Sequence, residues 1–263
     1  MKRVLSIASV LVLALALAVP VFADDHGPRV RAVHASPDAP AVDVWVDGAV
    51  AFENAPFKGV TPYAELTAGF HNFQIVPTGA TEPVVIEADL DLQGNTDYTI
   101  VALNELASIE PLVLVDNNAL PAEGKAHVRF IHASPDAPAV DIAVTGGPVL
   151  FGGIPFKGVG DYLPVDAGTY DLEARVSGTE TVALSLPGIT LEEGTVYTVY
   201  AMGYAGGAEP ALTAVISADA MRAEPMLLPA TGSGNIALFA ALAVMGLGMM
   251  VAALRVRKAE EIA

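Results

Sequence analysis

The ten residues HASPDAPAVD stand at His34–Asp43 and again, letter for letter, at His132–Asp141. An identity of that length marks a duplicated module, so the chain is a tandem repeat of one domain. The flanks of the motif set the class of that domain. In Arg29-Val-Arg-Ala-Val-His34, Val30, Ala32 and His34 share one face. After the motif turns, Val42, Val44 and Val46 point one way while Asp43, Trp45 and Asp47 point the other. This period of two is the mark of a strand with one buried face.

Inside the motif, Ser36-Pro37-Asp38-Ala39 suits a type I turn, with proline presetting φ at its second position. Pro37 and Pro40 stiffen a crossing from one strand to the next and remove N–H donors from an exposed edge. His34 continues the face of Val30 and Ala32, so its imidazole points inward and needs a partner; Ser36 and Asp38 are the nearest in sequence. The set His34, Ser36, Pro37, Asp38 and Asp43, with its copy His132, Ser134, Pro135, Asp136 and Asp141, therefore reads first as a corner held by hydrogen bonds. The sharper alternative is a cation site. Asp38, Asp43 and Asp47 in copy one, and Asp136 and Asp141 in copy two, are carboxylates on or beside a loop, the ligand type Ca²⁺ takes. Against it, the spacing is not that of an EF-hand, and copy two has no counterpart of Asp47. Zinc is weaker still, because no second histidine lies near His34.

Further strands are expected at Tyr63–Leu66, Phe70–Val76, Val84–Leu92, Tyr98–Leu103 and Leu112–Val115, separated by Gly, Pro and Asn signals. Short strands at ~8–12-residue intervals without an amphipathic helix predict an all-β chain of two tandem antiparallel β-sandwiches, Ig-like or prealbumin-like. Pro56-Phe-Lys-Gly-Val60 returns as Pro155-Phe-Lys-Gly-Val159, Tyr63 as Tyr162, and Tyr98-Thr99 as Tyr197-Thr198. The expected organisation is residues 28–117 for repeat 1, 118–124 for a linker short enough to hold a semi-rigid pair, and 125–217 for repeat 2. One inserted residue is expected near Gly146-Gly147.

These residues carry a resemblance. HASPDAPAVDVWVDG, then PFKGV, a Tyr, an Ala-Gly turn and a late Gly-x-x-Tyr-Thr strand, resemble the bacterial domain of unknown function 4397, whose members are often tandem and exported. The likeness spans about Arg29 to Ser217. Copy two departs after Asp141, where Ile142-Ala-Val-Thr-Gly replaces Val44-Trp-Val-Asp-Gly. The resemblance implies no activity and no catalytic residues.

The two ends suggest an address. Residues 1–23 read as a signal peptide: Lys2 and Arg3, an apolar run, and a Val21-Phe22-Ala23 ending before Asp24. Residues 218–235 form a stalk containing Leu228-Pro229-Ala230-Thr231-Gly232. Residues 236–254 follow without a charge, and as a helix at ~1.5 Å per residue they cover about 28 Å, close to a hydrocarbon core of ~30 Å. Arg255, Arg257 and Lys258 in the tail 255–263 mark the cytoplasmic side. The order resembles a cell-wall sorting signal, which implies a sortase-type transpeptidase cutting between Thr231 and Gly232. The alternative is a plain membrane anchor.

The 13 basic and 30 acidic residues give a net charge of −17. Five of the basic and two of the acidic residues sit in the terminal segments, so the middle carries 8 basic residues against 28 acidic. Nucleic-acid binding needs clusters of Lys and Arg and is excluded. With no cysteine, disulfides, thiol catalysis and Cys-based zinc sites are excluded as well. His, Ser and Asp within five residues do not make a triad, whose members converge from separate elements, and there is no Gly-x-Ser-x-Gly elbow. Glu87, Asp89 and Asp91 alternate along one strand as a solvated face. Trp45, by its alternation, is expected to be exposed and could serve as a sugar platform; Phe57 and Tyr63 read as core.

The expectation is an exported, surface-anchored, non-enzymatic protein that needs no cofactor and presents two modules to an extracellular polymer or protein. The runners-up are a calcium-dependent carbohydrate-binding module and an accessory domain of a surface hydrolase.

Overall fold

The computed structural model describes residues 26–222; the expected signal peptide, LPATG motif, apolar span and basic tail lie outside them. Repeat 1 consists of β1 (Arg29–His34), β2 (Val42–Val46), β3 (Ala49–Ala55), β4 (Ala64–Glu65), β5 (Gly69–Pro77), β6 (Ile86–Leu92), β7 (Asp97–Leu103) and β8 (Glu110–Asp116). They form two four-stranded sheets, ordered β4-β1-β7-β8 and β3-β2-β5-β6. Repeat 2 follows the same plan with β9 (Lys125–His132), β10 (Val140–Val144), β11 (Val149–Ile154), β12 (Val159–Asp166), β13 (Gly168–Val176), β14 (Val182–Leu191), β15 (Thr195–Met202) and β16 (Thr213–Met221). Its sheets are β12-β9-β15-β16 and β11-β10-β13-β14. Among the described residues, one 3₁₀ turn at Leu106–Ser108 is the only helical element.

Three features differ from the expectation. First, β3 was not expected, although its cue is in the sequence. Asp47 and Gly48 both have positive φ, 51° and 77°, the two-residue hairpin turn that matches strand twist and favours Asp-Gly. Copy two replaces it with the longer Thr145–Pro148 connection, which absorbs the one inserted residue and keeps the pairing, Val44 opposite Phe52 and Ile142 opposite Phe151. Second, the sheets are not wholly antiparallel: β1 runs parallel to β7 and β9 parallel to β15. Parallel neighbours need a crossover, and the strands of the opposite sheet supply it. Third, β16 continues to Met221, past the expected end at Ser217.

Each sandwich has its own apolar core. Val30, Val44, Phe73, Ile75 and Ile100 lie in the first, and Val128, Phe130, Ile142 and Val199 in the second. A third cluster draws on both repeats: Val33, Ala35, Val101 and Leu103 with Ile131, Ala133, Tyr200 and Met202. Every one of these is at most 1% exposed. The inner strands of the β1 and β9 sheets are therefore buried on both faces, and every residue of β7 and β15 is buried.

Candidate functional site

The repeated motif forms the corner by which the chain leaves one sheet for the other. His34 is 1% exposed, and its Nε2 lies 2.9 Å from the carbonyl of Pro40; His132 meets the Pro138 carbonyl at 3.0 Å. The partner is thus a backbone carbonyl across the turn. Ser36 lies at the limit of bonding to Asp38, 3.5 Å, and the Ser134 hydroxyl donates to the Gly203 carbonyl at 2.6 Å. A carbonyl partner makes Nε2 the protonated nitrogen. Burial pushes the pKa of both imidazoles below 6.5, against the smaller opposing effect of the carbonyl bond.

The motif's carboxylates are held by backbone donors. Asp38 accepts from Leu106 N at 2.7 Å, and Asp136 from Ala205 N and Gly206 N at 2.8 Å each. Asp43 accepts from Asn54 N and Gly79 N, 2.7 and 2.9 Å. Asp141 accepts from Gly153 N, Gly178 N and the Ser177 hydroxyl at 2.6, 2.9 and 2.9 Å. These bonds tie two loops and the end of a strand (β3 or β11) to the corner in each copy. Among the described residues no group of three or more His, Cys, Asp or Glu side chains is placed to hold a metal. Asp47, the third candidate in copy one, pairs with His71 at 2.7 Å instead. Trp45 is half-buried rather than exposed, its indole N–H buried without a hydrogen bond, so it offers no open stacking platform.

The second repeated motif, PFKGV, folds onto the first. His34 N donates to Gly59 O and Lys58 N donates to His34 O, at 2.9 and 2.8 Å; the equivalents through His132 measure 3.0 and 2.8 Å. The Phe57 and Phe156 rings meet these imidazoles edge-on, both at 6.3 Å. Phe57, Val60, Phe156 and Val159 then pack against the cluster shared by the two repeats. The two repeated loops thus present one apolar surface from each copy to the other.

Beside that surface lies a charge network that sequence reasoning missed. Arg31 of β1 and Arg129 of β9 are each 2% exposed. Arg31 Nη1 reaches Asp219 of repeat 2 at 2.5 Å, and Arg129 Nη2 reaches Asp116 of repeat 1 at 2.7 Å. The pairs cross. The second is a charge contact whose N–H is not aligned for a hydrogen bond. Within its own repeat, each arginine donates Nε to a threonine, Thr99 at 2.8 Å and Thr198 at 3.1 Å. Each threonine donates to the local aspartate, Thr99 to Asp116 at 2.6 Å and Thr198 to Asp219. Each guanidinium lies over a tyrosine ring, Tyr63 at 4.7 Å and Tyr162 at 4.8 Å. Burial would lower the arginines' pKa values; the facing aspartates outweigh it, and both are raised. Two cations and two anions, related by a pseudo-twofold axis, make a neutral buried cluster of the isologous kind seen where a patch meets its own copy. The available signal was the pairing of Arg31, Thr99, Asp116 and Tyr63 with identical residues in copy two, on a face that alternation assigns to solvent.

The second sandwich also contains a cavity of about 360 Å³ between its sheets, lined by Phe130, Ile142, Leu172, Leu184, Ile189 and neighbouring apolar side chains.

The profile of the domain of unknown function DUF4397 matches the chain twice, over residues 28–143 and 128–225. The chain belongs to that family. The paired corners described above are thus two copies of the DUF4397 domain facing each other. No curated protein matches the sequence. Among solved structures, the chain is similar to the Bacillus anthracis TIE protein at 11% identity with a TM-score of 0.21, covering 68% of this chain and 34% of that one. It thus spans about a third of the TIE protein. A Bacteroides fragilis protein described as a "putative cell adhesion protein" is 10% identical at a TM-score of 0.21, with 76% of this chain and 100% of that one covered. At these TM-scores neither likeness bears on fold or function.

Proposed function

We propose that this chain is an exported, surface-anchored, non-enzymatic protein whose two DUF4397 sandwiches act as one rigid module in structural or adhesive contacts at the cell envelope. The observation that carries the reading is the crossed Arg31–Asp219 and Arg129–Asp116 contact with its apolar cluster. A pair of domains fixed in this way transmits force and holds spacing, which a flexible tether cannot do. The carboxylates of the repeated corner accept backbone N–H groups that hold neighbouring segments, which supports a structural role for the motif. The acidic middle of the chain suits a solvated outer surface. The sequence order LPATG, apolar span and basic tail supplies the anchor, with the sortase-type enzyme and the wall as partners, and the membrane as the partner if the span is retained.

The test is to express the full chain in a sortase-competent bacterium and to analyse wall digests and membranes by mass spectrometry, with adhesion to matrix polymers measured on the same cells. The reading predicts surface-exposed chain ending at Thr231 and adhesion that disappears with the gene. Chain confined to the cytoplasm, or hydrolytic turnover by residues 24–227 that is lost in His34→Ala/His132→Ala, would overturn it.

A further inference from the structure

The two sandwiches share their interface residues but differ in what fills them. Strand registers align Phe73 with Leu172, since these face Val46 and Val144. They likewise align Ile75 with Ala174, facing Val44 and Ile142, and Ile100 with Val199, facing Ala32 and Phe130. All three inward positions are smaller in repeat 2, and all three smaller residues line the cavity of about 360 Å³. Phe130 for Ala32, Ile142 for Val44 and Leu186 for Ala88 add bulk in the same lining, where Phe130 stacks on Phe151 at 6.3 Å.

The edge strand next to the cavity is also altered. Opposite β13, β14 carries an extra residue between Leu186 and Ile189, whereas β5 and β6 pair without interruption. The extra residue falls at Pro187-Gly188, where Gly188 has φ 68° and donates its N–H to Asp171 at 2.8 Å. A bulge bends and twists a strand, and bulges are over-represented at sheet edges and next to active sites. Leu184, Leu186 and Ile189, on either side of it, face the cavity and are only half-buried.

Protein interiors are close-packed, with few voids larger than a water molecule, and sites for small ligands begin at roughly 300 Å³ and are mostly apolar. We infer that the second sandwich binds one uncharged aliphatic chain, such as a long-chain alcohol or an ester of similar length, between β13–β14 and β9–β15–β16. The rim sets the charge preference. Among the lining residues only Asp166 and Tyr170 bear polar side-chain groups. The Tyr170 hydroxyl already donates to the Asp166 carbonyl at 2.7 Å. The Asp166 carboxylate is paired with Lys125 at 2.7 Å, and among the described residues the lining contains no cation to receive a fatty-acid head.

The experiment uses residues 24–227, which contain every described strand, with N-phenyl-1-naphthylamine as a neutral fluorescent probe and 1-dodecanol and dodecanoate as competitors. Probe fluorescence is expected to rise on binding and to be displaced by the alcohol at least tenfold more readily than by the carboxylate. Ala174→Ile and Leu172→Phe, which restore the residues of repeat 1, should weaken probe binding at least tenfold with an unchanged or higher melting temperature. If Leu172→Phe does not fold, Ala174→Ile and Val199→Ile carry the comparison. No probe binding by the wild type, unchanged binding in the filled variants, or equal displacement by dodecanoate would each overturn the inference.

Discussion

Replacing Asp219 by leucine should separate the unfolding of the two repeats. Asp219 has a fully buried side chain and receives Arg31 from repeat 1 at 2.5 Å, with the hydroxyls of Ser217 and Thr198 beside it. Its removal leaves a guanidinium that is 3% exposed with Asp116 at 4.0 Å as its remaining carboxylate, and breaking a buried pair by removing one partner costs ~3–5 kcal/mol. Arg31→Met removes the other partner. It should cost toward the lower end of that range, because Asp219 keeps its hydroxyl donors and has Arg129 at 3.9 Å. In the double variant neither charge remains, and apolar replacement of a buried pair is often neutral or better. The double variant should therefore cost less than the sum of the two single variants, by at least ~2–3 kcal/mol. At ~2–4 °C per kcal/mol for a protein of this size, each single variant should melt on the order of 10 °C lower. The single tryptophan, Trp45 in β2, reports repeat 1 alone, while far-ultraviolet circular dichroism reports both repeats. In urea the two signals should coincide for the wild type and separate for Asp219→Leu. Single variants within ~1 kcal/mol of wild type, with coincident transitions, would refute the reasoning.

Three further outcomes are expected. His34 and His132 are buried with pKa values below the 6.5 of the unfolded chain, so below pH 6.5 the unfolded state binds protons the folded state refuses. Stability should then fall with pH by up to ~1.4 kcal/mol per unit for each histidine, and a His34→Gln/His132→Gln variant with the same slope between pH 6.5 and 5 would contradict this; His71, raised by its hydrogen bond to Asp47, opposes the trend weakly. Asp38→Asn with Asp136→Asn should melt lower than wild type by ~1–2 kcal/mol to the same extent in excess calcium and in chelator, and a calcium-dependent rise confined to the wild type would show that the loop binds the ion. Gly48→Ala meets no neighbour but must hold a φ of 77°, so it should cost about 1 kcal/mol in a urea titration, and no change would argue against the Asp47-Gly48 hairpin.

Much of the sandwich was legible in the sequence because alternation reports one-sided burial directly. Val42, Val44 and Val46 face the core as their spacing predicts, and Glu87, Asp89 and Asp91 lie in solvent. What alternation cannot report is a strand buried on both faces with a charge on one of them. Arg31 and Arg129 occupy positions that read as solvent-facing, and their neutralising aspartates come from the other repeat, 188 residues away for Arg31 and Asp219. No local pattern encodes that distance. The nearest candidates in sequence for the His34 imidazole were Ser36 and Asp38, whereas both imidazoles meet proline carbonyls, a group every residue type provides. The alternation of Trp45 suggested exposure, yet the strand next to it, β3, lay behind a turn signal that had not been used. The cavity left the weakest trace, because Leu172, Ala174 and Val199 are unremarkable core residues until set against Phe73, Ile75 and Ile100.

The central claim is that the duplicated corner makes each repeat the other's partner, and a zero-length cross-link tests it most directly. Lys157 of repeat 2 stands 2.9 Å from Glu110 of repeat 1, while Lys125 and Asp166, both in repeat 2, are 2.7 Å apart. Both pairs are partly exposed to solvent. Carbodiimide treatment of dilute residues 24–227, followed by peptide mass spectrometry, should yield both isopeptide links in the monomer fraction. The Lys125–Asp166 link without Lys157–Glu110 would show that the two repeats do not meet through this face.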